Sequence, residues 1–234
     1  DNYGRMIDGL ALLQMKVENG RIDSSDIKQK WADDSQYNYE TEDDFDETVT
    51  KKLAKEISTG EYRFYYFGDA EDGSMKTGRQ TVDIDGDSFT FKFKDSSSSK
   101  GAGIHGEDDH KLYLAGKLIE ADADDKYQVV VYEETKEGTI TMTKMDTDEF
   151  LDAYTDEQPE NEDGDIVWKV QAGQSFKMTS AEKEKADAAD VVERHLYLVN
   201  TSGSMVKNKS AAKDGEDYKF NVDDYEIVDV TLEN

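Results

Sequence analysis

The sequence contains no cysteine, so a disulfide framework, a thiolate metal site and a thiol nucleophile are all closed to it. Its single proline, Pro159, falls in an acidic stretch, 152–165, that reads as a loop. No apolar run approaches the roughly 20 residues that a bilayer-crossing helix needs. Positive charge is scarce: 28 Lys and Arg stand against 55 Asp and Glu, a formal net charge of -27. Such a surface repels phosphate backbones, anionic membranes and anionic wall polymers, which excludes nucleic acid as a partner class. It favours solubility, cationic partners and divalent ions.

What is present is aromatic. Thirteen Tyr and nine Phe accompany a hydrophobic fraction of only 35%. That supplies a thin core in which rings do much of the packing. Regular aromatic strands set aside the disordered state that the charge alone would permit. The length of 234 residues suits one large domain or two small ones. The sequence starts at Asp1 without a Met or a signal peptide, which reads as the mature form or an excised region of a longer exported protein.

The chain repeats itself. Tyr65 to Phe93, YYFGDAEDGSMKTGRQTVDIDGDSFTFKF, reads as an aromatic strand, a turn at Gly73-Ser74-Met75, a second turn at Asp85-Gly86 and a second aromatic strand. Leu196 to Val222 is a weaker copy: Gly203-Ser204-Met205 matches the first turn, Asp214-Gly215 the second, and Tyr218 and Phe220 match Phe89 and Phe91. A third, shorter segment is Lys111 to Val131.

The first segment resembles the cell-wall-binding repeat of Gram-positive surface proteins, the choline-binding and glucan-binding type. The resemblance rests on Tyr65-Tyr66-Phe67, on the run Asp72-Gly73-Ser74-Met75-Lys76-Thr77-Gly78, on Gln80-Thr81-Val82, on Asp85-Gly86, and on Phe89 and Phe91. It implies a β-hairpin unit, a secreted or cell-wall-associated setting, and a cell-wall polymer or other glycan as partner. The family places a Trp after the Gly that follows the Met turn, and that Trp helps form a cage for a quaternary ammonium. Here Arg79 stands at that position, and Lys209 stands there in the last copy. A cation in a cage wall reverses the cation–π attraction, so the resemblance carries the fold unit and the setting further than it carries choline. The residues left as glycan-binding candidates are Tyr65, Tyr66, Tyr113 and Tyr197.

Along the chain, 1–60 reads as an N-terminal segment with short helices. An apolar strand within Met6–Val17 runs to a turn at Asn19-Gly20, and Ser24 or Ser25 caps a short helix through Trp31, a core or helix-anchoring ring. Phe45, Val49, Leu53 and Ile57 recur at spacing four and predict a helix from Asp43 to Ile57 that Gly60 ends. An extended 48–50 is the alternative, because Thr48, Val49 and Thr50 are β-branched. Residues 61–133 hold the first two hairpins, with 94–103 as a flexible loop. Tyr127–Tyr132 is a strand with Thr139–Met145 as its antiparallel partner. Within 134–194, Asp146 or Thr147 caps a helix through Tyr154 with Phe150, Leu151 and Tyr154 inward. Ile166–Val170 is a strand with Ser175–Thr179 as its partner, and 180–194 is a helix or a charged loop. Residues 195–234 form the last copy and end in a strand at Tyr225–Leu232. These four segments together suit one composite domain.

Chemistry is sparse. His105, Glu107, Asp108, Asp109 and His110 lie close in sequence but lack helical ligand spacing, so no metal is assigned. Neither the acidic loop nor Asp83, Asp85 and Asp87 follows the EF-hand order. No nucleophile elbow stands out, and His195 reads as a surface or strand-edge residue. The expectation is therefore a mainly β protein of antiparallel β-hairpin repeats with two or three short inserted helices. It is non-enzymatic and needs no cofactor, and it binds glycan at the cell surface. A second class stays open, a structural or adhesion module whose acidic surface takes protein partners or calcium. A carbohydrate-active enzyme is the third.

Overall fold

The computed structural model describes residues 7–18, 21–28, 37–68, 73–214 and 217–232. The chain divides into two compact units, Asp1–Asp108 with Tyr113–Leu118, and Asp109–Leu112 with Ile119–Asn234. The division falls inside the 61–133 segment. The expected turn at Asn19-Gly20, together with Trp31, Asp72 and Gly215, lies outside the described residues.

The first unit begins with β1 (Leu10–Glu18) and β2 (Arg21–Lys28), an antiparallel pair. The helix expected after Ser24 is therefore a strand as far as Lys28. A single short helical turn is costly to nucleate, while β1 offers an unpaired edge at once. Helices α1 (Glu42–Glu47) and α2 (Ala54–Thr59) follow, joined by a π-helical turn, Thr48–Lys52. That turn explains the spacing of the apolar stripe. At about 100° per residue, an unbroken α-helix would carry Ile57 roughly 120° around from Phe45. A wider turn, closed by the Leu53 N–H on the Thr48 carbonyl at 2.9 Å, absorbs the excess. Phe45, Val49, Leu53 and Ile57 are all buried. The Thr50 hydroxyl donates to the Asp46 carbonyl one turn back, at 2.7 Å, so its polar group is satisfied within the helical run, which is not extended. Gly60, in the left-handed region, ends it.

Next come β3 (Tyr62–Tyr66), β4 (Gly78–Ile84), β5 (Asp87–Phe93), β6 (Gly106–Asp108), β7 (Lys111–Leu114) and β8 (Lys117–Leu118). Strand β3 pairs with β1 in a sheet ordered β2-β1-β3, whereas β4 and β5 form a hairpin in a second sheet ordered β4-β5-β8-β7-β6. Strand β1 is buried on both faces, at Leu12 on one and at Ala11, Leu13 and Met15 on the other. Its sequence accordingly reads as a continuous apolar run. Six rings form a chain of contacts through this unit: Tyr39 to Phe64 (5.2 Å between centroids), Phe64 to Phe45 (4.9 Å), Phe45 to Phe91 (5.6 Å), Phe91 to Phe93 (5.8 Å) and Phe93 to Tyr66 (6.2 Å). Burial pushes the Tyr39 phenol up to about 12, against a backbone hydrogen bond from Leu12 that lowers it.

The second unit contains β9 (Tyr127–Thr135), β10 (Ile140–Met145), α3 (Thr147–Tyr154), β11 (Thr155–Glu157), β12 (Ile166–Val170), β13 (Phe176–Lys177), α4 (Ser180–Lys183), β14 (Val191–Asn200), β15 (Lys209–Lys213), β16 (Tyr218–Asp223) and β17 (Glu226–Leu232). They build one sheet along β10-β9-β14-β17-β12-β11, with β13 on β14, and β15 on β16, which pairs with β17. The expected helix at 147–154 is present, with Phe150 and Leu151 buried and Tyr154 half-buried against the core of Val131, Leu196, Leu198, Phe220 and Val230. Strand β13 pairs with β14 rather than with β12. Only 180–183 of the 180–194 segment is helical, and Val191 to Arg194 already belongs to β14.

The architecture is mainly β, with antiparallel strand pairs and four short helices among the described residues. The hairpin at β4–β5 turns through Asp85 (φ 52) and Gly86 (φ 92), and the one at β7–β8 through Ala115 (φ 50) and Gly116 (φ 110). Positive φ at both central residues matches the right-handed twist of the strands. The segment 111–131 is not a unit of its own. Its hairpin is short, and Tyr127–Val131 belongs to β9 in the other sheet.

Candidate functional site

Consecutive strand residues point to opposite faces, which decides the fate of the candidate tyrosines. Tyr65 and Tyr66 are neighbours on β3, so they cannot form one platform. Tyr65 is 6% exposed and packs with Leu13, Met15 and Ala102, while Tyr66 is half-buried and stacked on Phe93. Tyr113, 5% exposed, is also a core residue, with the Lys92 ammonium 5.8 Å from its ring centre. Tyr65 and Tyr113 are therefore packing residues with little surface to offer a glycan. Tyr197 differs. It lies half-buried on β14, and a ring stack surrounds it.

Strand β14 is interior, between β9 and β17, so His195 is no strand-edge residue. Leu196 and Leu198 face the core. The alternation puts His195 and Tyr197 on the opposite face, with Tyr132 of β9 directly across from His195. The His195 and Tyr197 rings stack at 5.2 Å and 10°, and Tyr132 lies 5.9 Å from His195 and 6.4 Å from Tyr197. All three are half-buried, so each keeps part of its surface in solvent.

Carboxylates hold this row in place. His195 Nδ1 meets Glu226 Oε1 at 2.5 Å, and Nε2 meets Glu193 Oε1 at 3.0 Å. Glu226 Oε2 accepts from the Ser175 hydroxyl at 2.7 Å and from the Leu196 N–H at 3.0 Å. Lys177 donates to Glu193 at 2.7 Å, and Arg194 to Glu133 at 2.6 Å. Burial alone would lower the His195 pKa, but the hydrogen bonds and charges of Glu226 and Glu193 outweigh it and raise the value. Burial would raise Glu193, yet Lys177 and His195 hold it below the usual carboxylate range. With a carboxylate at each nitrogen, the ring is an imidazolium that donates twice. Ser175 donates to Glu226 and not to the imidazole, so this His–Glu–Ser set is not a nucleophile held against its base. In a protein of net charge -27, the charges around this face are paired with one another.

The 105–110 segment does not converge. His105 Nδ1 accepts from the Ala115 N–H at 3.2 Å, Asp108 pairs with Lys92, and His110 stacks on Tyr225 at 4.5 Å. Among the described residues no group of three or more His, Cys, Asp or Glu is placed to hold a metal ion. No described helix is long and apolar enough to cross a membrane.

Sequence reasoning missed Tyr132 and His195. Their signal was the period-two alternation of His195-Leu196-Tyr197-Leu198, which places His195 and Tyr197 on one face of a strand. Comparison with family models, with curated proteins and with solved structures returned no match.

Proposed function

We propose that this protein is a non-enzymatic binding region of an exported Gram-positive surface protein, and that it holds a neutral cell-wall or other glycan on the Tyr132–His195–Tyr197 face. The observation that carries the reading is the half-exposed ring row, 5.2 to 6.4 Å between centroids, flanked by Glu193 and Glu226. Ring faces suit the apolar C–H face of a sugar, and carboxylates with spare lone pairs accept from its hydroxyls. The paired charges of this face leave a neutral ligand without a large desolvation cost, while the overall negative charge disfavours anionic polymers. The Gram-positive setting rests on the resemblance of the 65–93 segment.

Sedimentation of the protein with insoluble Gram-positive cell walls tests this, with and without choline. The expected result is binding that choline leaves unchanged and that Tyr132→Ala and Tyr197→Ala each reduce at least fivefold. Binding that choline abolishes, or that both variants leave intact, would refute the proposed face.

A further inference from the structure

A second feature of the second unit is independent of the glycan reading. A pocket of about 260 Å³ is lined by Asp125, Tyr127, Gln128, Met145, Asp146, Thr147, Asp148 and Asp214. Its four carboxylates come from three separate stretches of chain, and among the described residues no cationic side chain lines it. Asp146 and Asp148 have a structural use at the start of α3, where negative charge complements the helix N-terminus. Asp125 and Asp214 lie outside that helix. Asp214, only 7% exposed, accepts from the Thr147 hydroxyl at 3.3 Å.

The decisive residue is Gln128. It is 8% exposed, and its Oε1 is buried without a hydrogen-bond partner among the described residues. A buried amide oxygen left unpaired is costly, so the pocket holds an acceptor suited to a ligand's donor. The carboxylates do not converge as a metal cage would require. A ligand with several N–H donors spread along its length meets both conditions. Tyr127 already shows how a cation is seated nearby: Lys209 lies 5.0 Å and Lys126 5.9 Å from its ring centre, and Lys209 donates to its hydroxyl at 2.6 Å.

We propose that this pocket binds a protonated aliphatic amine through charge-assisted hydrogen bonds to its aspartates and a hydrogen bond to Gln128 Oε1. The amine is either a free small diamine or a lysine side chain of a partner. The N–H donors are essential, so a quaternary ammonium of equal charge is the wrong ligand.

Calorimetric titration of the full chain with 1,4-diaminobutane, a lysine-containing peptide, tetramethylammonium and calcium provides the test. Saturable binding of the diamine or the peptide is expected, at least tenfold tighter than tetramethylammonium, and the tighter of the two identifies the source. Asp148→Asn should weaken it about fivefold or more. Asp214→Asn should do the same, and the far-ultraviolet circular dichroism of each variant confirms that it is folded. Equal binding of tetramethylammonium and the diamine, erased by salt, would overturn the proposal in favour of diffuse surface attraction. Calcium binding tighter than either amine would overturn it in favour of a metal site, and no binding at all would overturn it outright.

Discussion

Strand β3 with its hairpin β4–β5, and strand β14 with its hairpin β15–β16, carry the same local signals and put them to different use. In both, a Gly-Ser-Met turn follows the strand, at 73–75 and 203–205. In both, the next N–H returns to that strand: Lys76 donates to the Tyr66 carbonyl at 2.7 Å, and Val206 to the Leu198 carbonyl at 2.8 Å. In both, a left-handed residue stands at the entry to the following strand, Gly78 (φ 67) as the first residue of β4 and Asn208 (φ 45) just before β15. The surroundings then diverge. Strand β3 pairs with β1 and gives its rings to a core, Phe64 and Tyr65 being buried. Strand β14 pairs with β9 and β17, buries Leu196 and Leu198 on one face, and leaves His195 and Tyr197 half-open on the other. Local turn chemistry thus fixes the hairpin, while the partner strand decides whether an aromatic becomes core or surface.

The comparison breaks most severely at the core. Phe91 and Phe220 are fully buried rings on the second strand of each hairpin, and Phe91→Ala and Phe220→Ala should each cost about 3–5 kcal/mol in urea unfolding. A loss under half of that at either site would mean that its unit is loosely packed.

Lys117 gives the next contrast, because the first unit buries a cation between two acids, whereas the buried charges of the second unit are the acids Glu193 and Asp214. It is 5% exposed, bonded to Glu42 at 2.7 Å and Asp46 at 2.6 Å, and 5.3 Å from the Phe89 ring centre. Removing one partner of a buried ion pair strands the other charge; the acids, with side chains 47% and 37% exposed, can rehydrate without Lys117, whereas the Lys117 side chain, 6% exposed, cannot rehydrate without them. Lys117→Met should therefore change stability by under about 1 kcal/mol, and the Glu42→Gln, Asp46→Asn double variant should cost about 3 kcal/mol or more.

The left-handed positions sharpen the comparison at a smaller scale. Gly78→Ala forces a Cβ into a positive φ and within 3.3 Å of the Asp95 carboxylate, at about 1–2 kcal/mol. Gly78→Asn should cost less, because Asn tolerates that region and occupies it at 208. Asn208→Gly should still destabilise by about 1 kcal/mol, since the Asn208 side-chain oxygen accepts from the Asp224 N–H at 2.6 Å. Thermal melts of the three variants give the ranking.

The smallest effect is pH-dependent and belongs to the second unit. Because the His195 pKa is raised from its usual 6.5, its contribution is complete below that value and is lost as pH rises through the folded-state pKa. The melting temperature should therefore fall as pH rises above 6.5, and His195→Gln should flatten that slope. Lys177, Glu193 and Glu226 surround the ring; the lowered pKa of Glu193 acts at the acid end instead, where its stabilisation is lost as pH falls.

Much of the fold was legible in the sequence. The stripe at Phe45, Val49, Leu53 and Ile57, the β9–β10 pair and the turn at Asp85-Gly86 all follow from periodicity and turn chemistry. Strand β2 was not legible, because its pairing with β1 is a tertiary choice that local propensity does not record. The site was half legible. Tyr197 was found as part of a repeat, but Tyr132 lies 65 positions away in sequence, and only the β9–β14 register brings it opposite His195. Tyr65 and Tyr113 read as surface rings because periodicity does not record what packs over a strand face, which for Tyr65 is Leu13, Met15 and Ala102.

The most direct test is a titration of isotope-labelled protein with a soluble neutral cell-wall glycan, following the tyrosine ring resonances. Saturable shifts confined to Tyr132 and Tyr197, with Tyr65 and Tyr113 unmoved, are expected. A ligand that binds without moving Tyr132 and Tyr197, or no saturable shift at any tyrosine, would contradict the assignment of this face.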